Sequence, residues 1–151
     1  MRLKNSPFWV VAVIAILVDQ LTKHWVIQNF PYEGYSIPLI AGVFEFTYKK
    51  NTGVAFGWFT GKAELWRWIS LVVSLVLIKW GYSHPDWNRW EKFGYGLILG
   101  GAIGNGIDRF RLGYVVDFLH FSLINFPIFN VADSCISAGV ACLLVSIFRK
   151  T

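Results

Sequence analysis

Apolar residues in this chain gather into long runs separated by polar, glycine- and proline-rich segments. Four runs, near 7–26, 65–82, 93–108 and 130–148, are predicted as helices, since a helix needs roughly 20 apolar residues to cross a bilayer. The third run carries Gly96, Gly100 and Gly104 at four-residue spacing, with Gly101 beside them. Such a ridge lets a neighbouring helix backbone come close. The segment 30–62 has another texture. Pro31, Gly34, Pro38 and Gly42 interrupt helix, and Val43 to Lys49 alternates bulky and polar residues with the period of a strand. Asn51-Thr52-Gly53 is turn chemistry, and Val54 to Phe59 is suited to return as a second strand. A small β-hairpin or cradle is expected there, outside the hydrocarbon, because an open sheet edge in lipid leaves backbone groups unpaired. Residues 109–129, with Gly113, Asn125 and Pro127, are expected to form a loop. The fold class that follows is an all-α membrane protein: a four-helix transmembrane bundle with a small extracytoplasmic β-cradle, residues 1–151 making one integral membrane domain.

Composition strengthens the membrane reading. The chain is 55% hydrophobic and 18% aromatic, and its mean hydropathy of +0.48 is too high for an ordinary soluble domain. The net charge of +5 would suggest nucleic acid in a soluble protein. Here the basic residues cluster at the ends of apolar runs, which suits lipid headgroups and excludes nucleic acid as the expected partner. Met1-Arg2-Leu3-Lys4 before an apolar run imitates a signal peptide. The run meets Asp19 and Lys23 rather than a small-residue cleavage site, so it is read as an uncleaved first span. Arg2, Lys4, Lys79, Arg89, Lys92, Arg149 and Lys150 fall on the side of the termini, and the other seven basic residues on the opposite side. Setting aside Lys23 and Arg109, which have acidic neighbours, tilts the balance toward cytoplasmic termini.

Cys135 and Cys142 lie in one apolar run, about 10 Å apart along a helix axis, too far for a disulfide. They are expected to be buried free thiols. The scattered His24, His84 and His120 give no zinc-ligand spacing, and HExxH is absent. No metal or cofactor is expected.

The polar residues at the ends of the apolar runs collect into five blocks. They are Asp19-Gln20-Leu21-Thr22-Lys23, Asn51-Thr52-Gly53-Val54-Ala55-Phe56, the stretch from Gly100 through Asn105 to Asp108-Arg109, Val115-Val116-Asp117-Phe118, and Phe129-Asn130-Val131-Ala132-Asp133-Ser134. In a four-span topology all five fall on one side, whereas incidental polar residues would scatter over both. An ionisable residue at a bilayer edge is costly and is a functional-site candidate. Asp117 and Asp133 stand out. A carboxylate can deprotonate a water while a second, protonated carboxyl polarises a peptide carbonyl and later protonates the leaving amine. Two neighbouring carboxyls resist ionising together, so one keeps its proton near neutrality, and they titrate as a unit. Both are also capable of merely capping helices or pairing with Arg109 or Arg111. Asp19 and Lys23, at i and i+4 with the acid first, read as a structural ion pair sharing a face with Thr22. Asp108–Arg109 suits orienting the third helix or meeting a lipid phosphate. Asn130, Asp133 and Ser137 share a helical face. His120 near Asp117 lacks a nucleophile in a G-x-S-x-G setting and reads as interfacial.

These five blocks, in this order, resemble the lipoprotein signal peptidase (signal peptidase II) family over nearly the whole chain. The Gly-Gly-Ala-x-Gly-Asn-x-x-Asp-Arg and Asn-x-Ala-Asp-Ser blocks are the most specific. The one visible departure is Val54, where the family commonly has Ala. The resemblance implies a multi-pass enzyme of the bacterial cytoplasmic (inner) membrane that acts at the extracytoplasmic face. It implies an aspartic endopeptidase that cuts lipid-modified prolipoproteins just before the diacylglyceryl-bearing cysteine. It implies Asp117 and Asp133 as the catalytic dyad, with Asn51, Asn105, Arg109, Asn130, Asp19, Lys23 and Asp108 lining or supporting the site. The expected partners are the prolipoprotein and membrane lipids, with the enzyme a monomer. A proton-coupled carrier using membrane aspartates as a relay is the rival reading. The acids here sit at span ends rather than mid-span, which argues against it. A non-catalytic scaffold built on the glycine ridge is a third.

Overall fold

The computed structural model describes residues 5–53, 63–84 and 86–150. In chain order they form α1 (Ser6–Asn29), β1 (Ser36–Ile40), β2 (Phe44–Asn51), α2 (Ala63–Ser83), α3 (Arg89–Arg111), β3 (Val115–His120), a 3-10 turn at Ser122–Ile124, and α4 (Val131–Lys150). The helices match the four apolar runs and extend them by a few residues at most ends. Among the described residues, α1, α2 and α4 are long and apolar enough to cross a membrane.

The helix α3 is the exception, for a reason visible in its packing. It lies against α1, α2 and α4, and much of its surface, from Gly94 to Arg109, is buried by protein. The lipid-type side chains sit instead on the outer faces of its neighbours, where Ile14, Leu21, Val72, Leu75, Leu144 and Ile147 are exposed. The expected glycine ridge is what allows this. A Cβ at Gly96 would meet the Phe8 carbonyl oxygen at 2.7 Å, one at Gly100 the Ala12 carbonyl at 2.9 Å, and one at Gly104 the Asp19 carboxylate at 2.5 Å. Gly101 lies on another face, where a Cβ would run into the Ala132 carbonyl of α4. Small residues thus bring α1 and α4 to α3 at backbone contact.

Two asparagines fasten the end of the bundle far from the polar blocks. Asn5 donates to the Gly81 and His84 carbonyls at 2.9 and 2.8 Å, tying the start of α1 to the end of α2. Asn88 caps α3 in a reciprocal box with Glu91 and donates to Ser146 Oγ at 2.7 Å, reaching the end of α4.

The sheet extends beyond the hairpin expected within 30–62. It has three antiparallel strands in the order β1-β2-β3. The alternating segment is indeed a strand, β2, but its hairpin partner precedes it: Ser36 pairs with Thr47 and Ile37 with Phe46. Pro38 is accommodated because β1 is an edge strand, which has no second ladder to supply with an N–H. The strand expected over Val54 to Phe59, like Val54 itself, lies outside the described residues. The other partner of β2 is β3, inside the stretch expected as loop, with Lys49 opposite Asp117 and Asn51 opposite Val115. Val115, Val116, Asp117 and Phe118 are all buried, so this strand shows no polar alternation to betray it. Gly113, at φ 79°, makes the left-handed turn that carries the chain from α3 into β3. Val26 of α1 and Phe30 just after it pack with Tyr48, Val116 and Phe118, seating the sheet on the bundle.

Cys135 and Cys142 are free, as expected, but half-buried rather than buried. His120 Nδ1 meets Glu45 Oε1 at 2.8 Å, across the β2–β3 ladder where the two residues face one another.

Candidate active site

All nine residues singled out from the polar blocks converge at one end of the bundle. Asp117 is the third residue of β3 and Asp133 the third of α4. Asn51, closing β2, donates from Nδ2 to Asp117 Oδ2 at 2.9 Å. Asn130, just before α4, donates from Nδ2 to Asp117 Oδ1 at 2.7 Å. The same Asn130 forms a reciprocal cap with Asp133. Its Oδ1 accepts from the Asp133 backbone N–H at 3.0 Å, and its own backbone N–H donates to Asp133 Oδ2 at 3.2 Å. Asn130 therefore touches both acids and sets their relative position. Asn105 of α3 completes the ring, donating from Nδ2 to Asp133 Oδ1 at 2.8 Å. The capping role open to Asp133 from sequence alone is thus present.

Behind this ring lies a buried ionic cluster. The Lys23 ammonium has three protons and meets three acceptors: Asp19 Oδ2 at 2.9 Å, Asp108 Oδ2 at 3.1 Å and Asn105 Oδ1 at 2.9 Å. Each partner acid reaches on to the backbone next to Asp133 or Asp117. Asp19 Oδ1 accepts the Ala132 N–H at 2.9 Å, beside Asp133. Asp108 Oδ2 accepts the Val116 N–H at 3.0 Å, beside Asp117. Gln20, which the sequence reading passed over, donates to Asp108 Oδ1 and the Gly104 carbonyl, both at 3.1 Å. Its only signal was a polar residue adjoining Asp19 where the apolar run should continue. Thr22 turns back to its own helix, bonding the Val18 and Asp19 carbonyls.

Arg109 holds the other flank. Its guanidinium donates to Ser70 Oγ of α2 at 3.1 Å and to the Gly53 carbonyl at 3.3 Å. Gly53 N–H in turn donates to Asn51 Oδ1 at 2.9 Å, an Asx turn. Arg109 thus steadies the turn that points Asn51 at Asp117. Ser70 was also missed, since a lone serine inside an apolar run carries no distinguishing pattern.

A cavity of about 850 Å³ opens beside the ring. Trp66, Ile69 and Val73 of α2, Ile98 and Ala102 of α3, the segment Phe126 to Phe129 and Ile136 of α4 make it largely apolar, while Asn51, Asn105, Arg109, Asp133 and Ser137 supply its polar patch. Asp133 borders the cavity; Asp117 sits behind the lining and is 1% exposed. Burial, and then the charge of Asp133, push the Asp117 carboxyl up to about 7, against the opposing pull of the N–H groups of Asn51 and Asn130 and of the Lys23 charge. A carboxyl held near neutrality with a second carboxylate close by is an arrangement suited to general acid–base hydrolysis. Among the described residues no group of three or more His, Cys, Asp or Glu is placed to hold a metal ion.

The family model for signal peptidase (SPase) II matches residues 11–149. A lipoprotein signal peptidase of Nostoc punctiforme is 59% identical over 151 residues, spanning 100% of this chain and 95% of the relative. Another, of Microcystis aeruginosa, is 55% identical over 145 residues, spanning 96% and 94%. Two solved bacterial membrane enzyme structures, each 30% identical, superpose with TM-scores of 0.83 and 0.81 and span 93% and 94% of this chain, 86% and 92% of theirs.

Proposed function

The chain belongs to the signal peptidase II family, and on that premise we propose that it removes signal peptides from prolipoproteins through Asp117 and Asp133, cleaving before the diacylglyceryl-modified cysteine. The observation that carries the dyad is Asn130, one side chain bonded to Asp117 and, in a reciprocal cap, to Asp133. In this mechanism the ionised carboxyl takes a proton from water, and the water oxygen bonds to the scissile carbonyl carbon. The protonated carboxyl donates to the carbonyl oxygen. Collapse of the tetrahedral adduct breaks the C–N bond, the amine leaving with the proton taken from water while one hydroxyl proton of the adduct returns to the other carboxyl. Asn51, Asn105, Asn130 and Arg109 hold the acids and the substrate backbone in line. Asp19, Lys23 and Asp108 support them from behind.

The apolar cavity walls suit a substrate that arrives sideways from the bilayer, its signal helix beside α2 and α4 and its acyl chains still in lipid. All four helices span the bacterial inner membrane in this reading, as one domain and as a monomer. The site faces outward and both termini the cytoplasm, with the sheet as a cradle over the substrate. Purified protein in detergent, incubated with a diacylglyceryl-modified precursor, should release the signal peptide as a size shift on a gel. Unmodified precursor remaining the preferred substrate would overturn the assignment.

The dyad works with one proton in place, so its loss limits activity on the alkaline side. With Asp117 near 7, kcat/KM is expected to fall as pH rises through about 7. Asn51→Ala removes an N–H that favours the ionised form of Asp117. That limb should then move to higher pH, with the rate lowered about tenfold for loss of one hydrogen bond worth about 1.5 kcal/mol to a charged group. A pH–rate series on both proteins checks the direction; a limb that stays put or moves down contradicts it.

A further inference from the structure

Lys23 is 2% exposed and does not line the cavity, yet it fixes something the dyad requires. An asparagine amide can sit either way round, presenting oxygen or NH2. An ammonium is donor only, so the Asn105 atom facing Lys23 at 2.9 Å has to be the oxygen. The NH2 is thereby turned to Asp133 Oδ1, 2.8 Å away. Asn130 Nδ2 adds a second donor to the same Asn105 oxygen at 3.1 Å, but its own orientation depends on the Asp133 backbone N–H, which belongs to the residue being aimed. Lys23 is a side chain from outside the ring whose donor character does not depend on how any amide in it is turned. Asp19 and Asp108 hold its other two protons, so the ammonium cannot swing away to serve another acceptor.

We propose that Lys23 is a positioning residue for peptide cleavage, acting through Asn105 by locking that amide with its NH2 toward Asp133. This rests on the dyad reading. Without the ammonium, the Asn105 amide can turn over and set its oxygen against the Asp133 carboxylate, and the acid loses its aim.

The test is a double-mutant cycle on cleavage of a diacylglyceryl-modified precursor in detergent, using Lys23→Met, Asn105→Ala and the pair. Each single change is expected to lower kcat about 100-fold, the scale of a small misplacement of a reacting group, with KM within about twofold. The pair should be no worse than either alone, because Lys23 works through Asn105. Multiplying losses, or a raised KM with kcat kept, overturn the proposal and reduce Lys23 to a structural ion. Lys23→Met leaves two buried carboxylates facing no ammonium and risks misfolding. In that event the cycle is run on the Asp19→Asn background, where removing Lys23 brings the total to one charge of each sign deleted. An Asp133→Asn control separates the two readings. If it cleaves normally the dyad itself fails; if it is inactive and the cycle is multiplicative, only the role of Lys23 fails.

Discussion

Asp133→Asn, and separately Asp117→Asn, is expected to insert and fold while losing prolipoprotein cleavage, by about 10²–10⁴-fold for removal of a general acid or base. Asparagine keeps the volume and one acceptor oxygen. At position 133 it retains one of two N–H contacts, to Asn105 or to the Asn130 backbone, and leaves the other facing an NH2 group. At position 117 the same conflict arises between Asn51 and Asn130. The local cost is modest beside the packing of α3 against α1 and α4. The chemistry, by contrast, cannot survive, since an amide neither takes a proton from water nor donates one as a carboxylic acid. Gel-shift cleavage combined with thermal unfolding in detergent separates the two effects. Full turnover by either folded variant would sink the dyad.

Gly101→Val is expected to damage the same reaction from a position that touches no substrate. Its Cβ would run into the Ala132 carbonyl and meet Ile136 Cγ1 at 2.7 Å. The carbonyl is backbone in the first turn of α4, so it yields only if the helix moves. Such overpacking costs about 1–3 kcal/mol. The displaced turn is the one that carries Asp133 and receives Asp19 at the Ala132 N–H, so a shift near 1 Å would slow cleavage about 100-fold. Gly106→Ala is the matched control, because its Cβ would meet only Ser70 Cβ at 3.4 Å, ordinary contact. Equal activity and melting temperature for the two variants would contradict the packing argument.

Much of the site was legible because polar residues cannot be placed casually in an apolar chain. Asp19, Lys23, Asp108, Arg109, Asp117 and Asp133 interrupt or end hydrocarbon-rich runs, and burying any of them demands a partner. Their convergence followed from helix count and loop placement. Gln20 stood in the first polar block without being singled out, and Ser70 was not legible, since a lone uncharged polar side chain is tolerated in a span and leaves no pattern. The strand β3 was missed because it is buried on both faces from Val115 to Phe118 and shows no alternation there, Asp117 sitting among apolar neighbours. The strand β1 was not read within the 30–62 cradle, because Pro38 marks a break in helix and gives no strand signal, although an edge strand tolerates it.

The sequence alone determined the membrane class, the four helices, the glycine ridge and the set of polar residues that would have to meet. These follow from hydropathy, period and the cost of buried charge, all local properties of the chain. Tertiary structure alone decided who pairs with whom: that Asn130 joins both acids, that Lys23 is saturated by Asp19, Asp108 and Asn105, and that Asp117 lies in a strand held by β2. Those bonds span up to 113 residues of sequence, and no pattern within one helix or strand encodes a hydrogen bond whose other half arrives from another element.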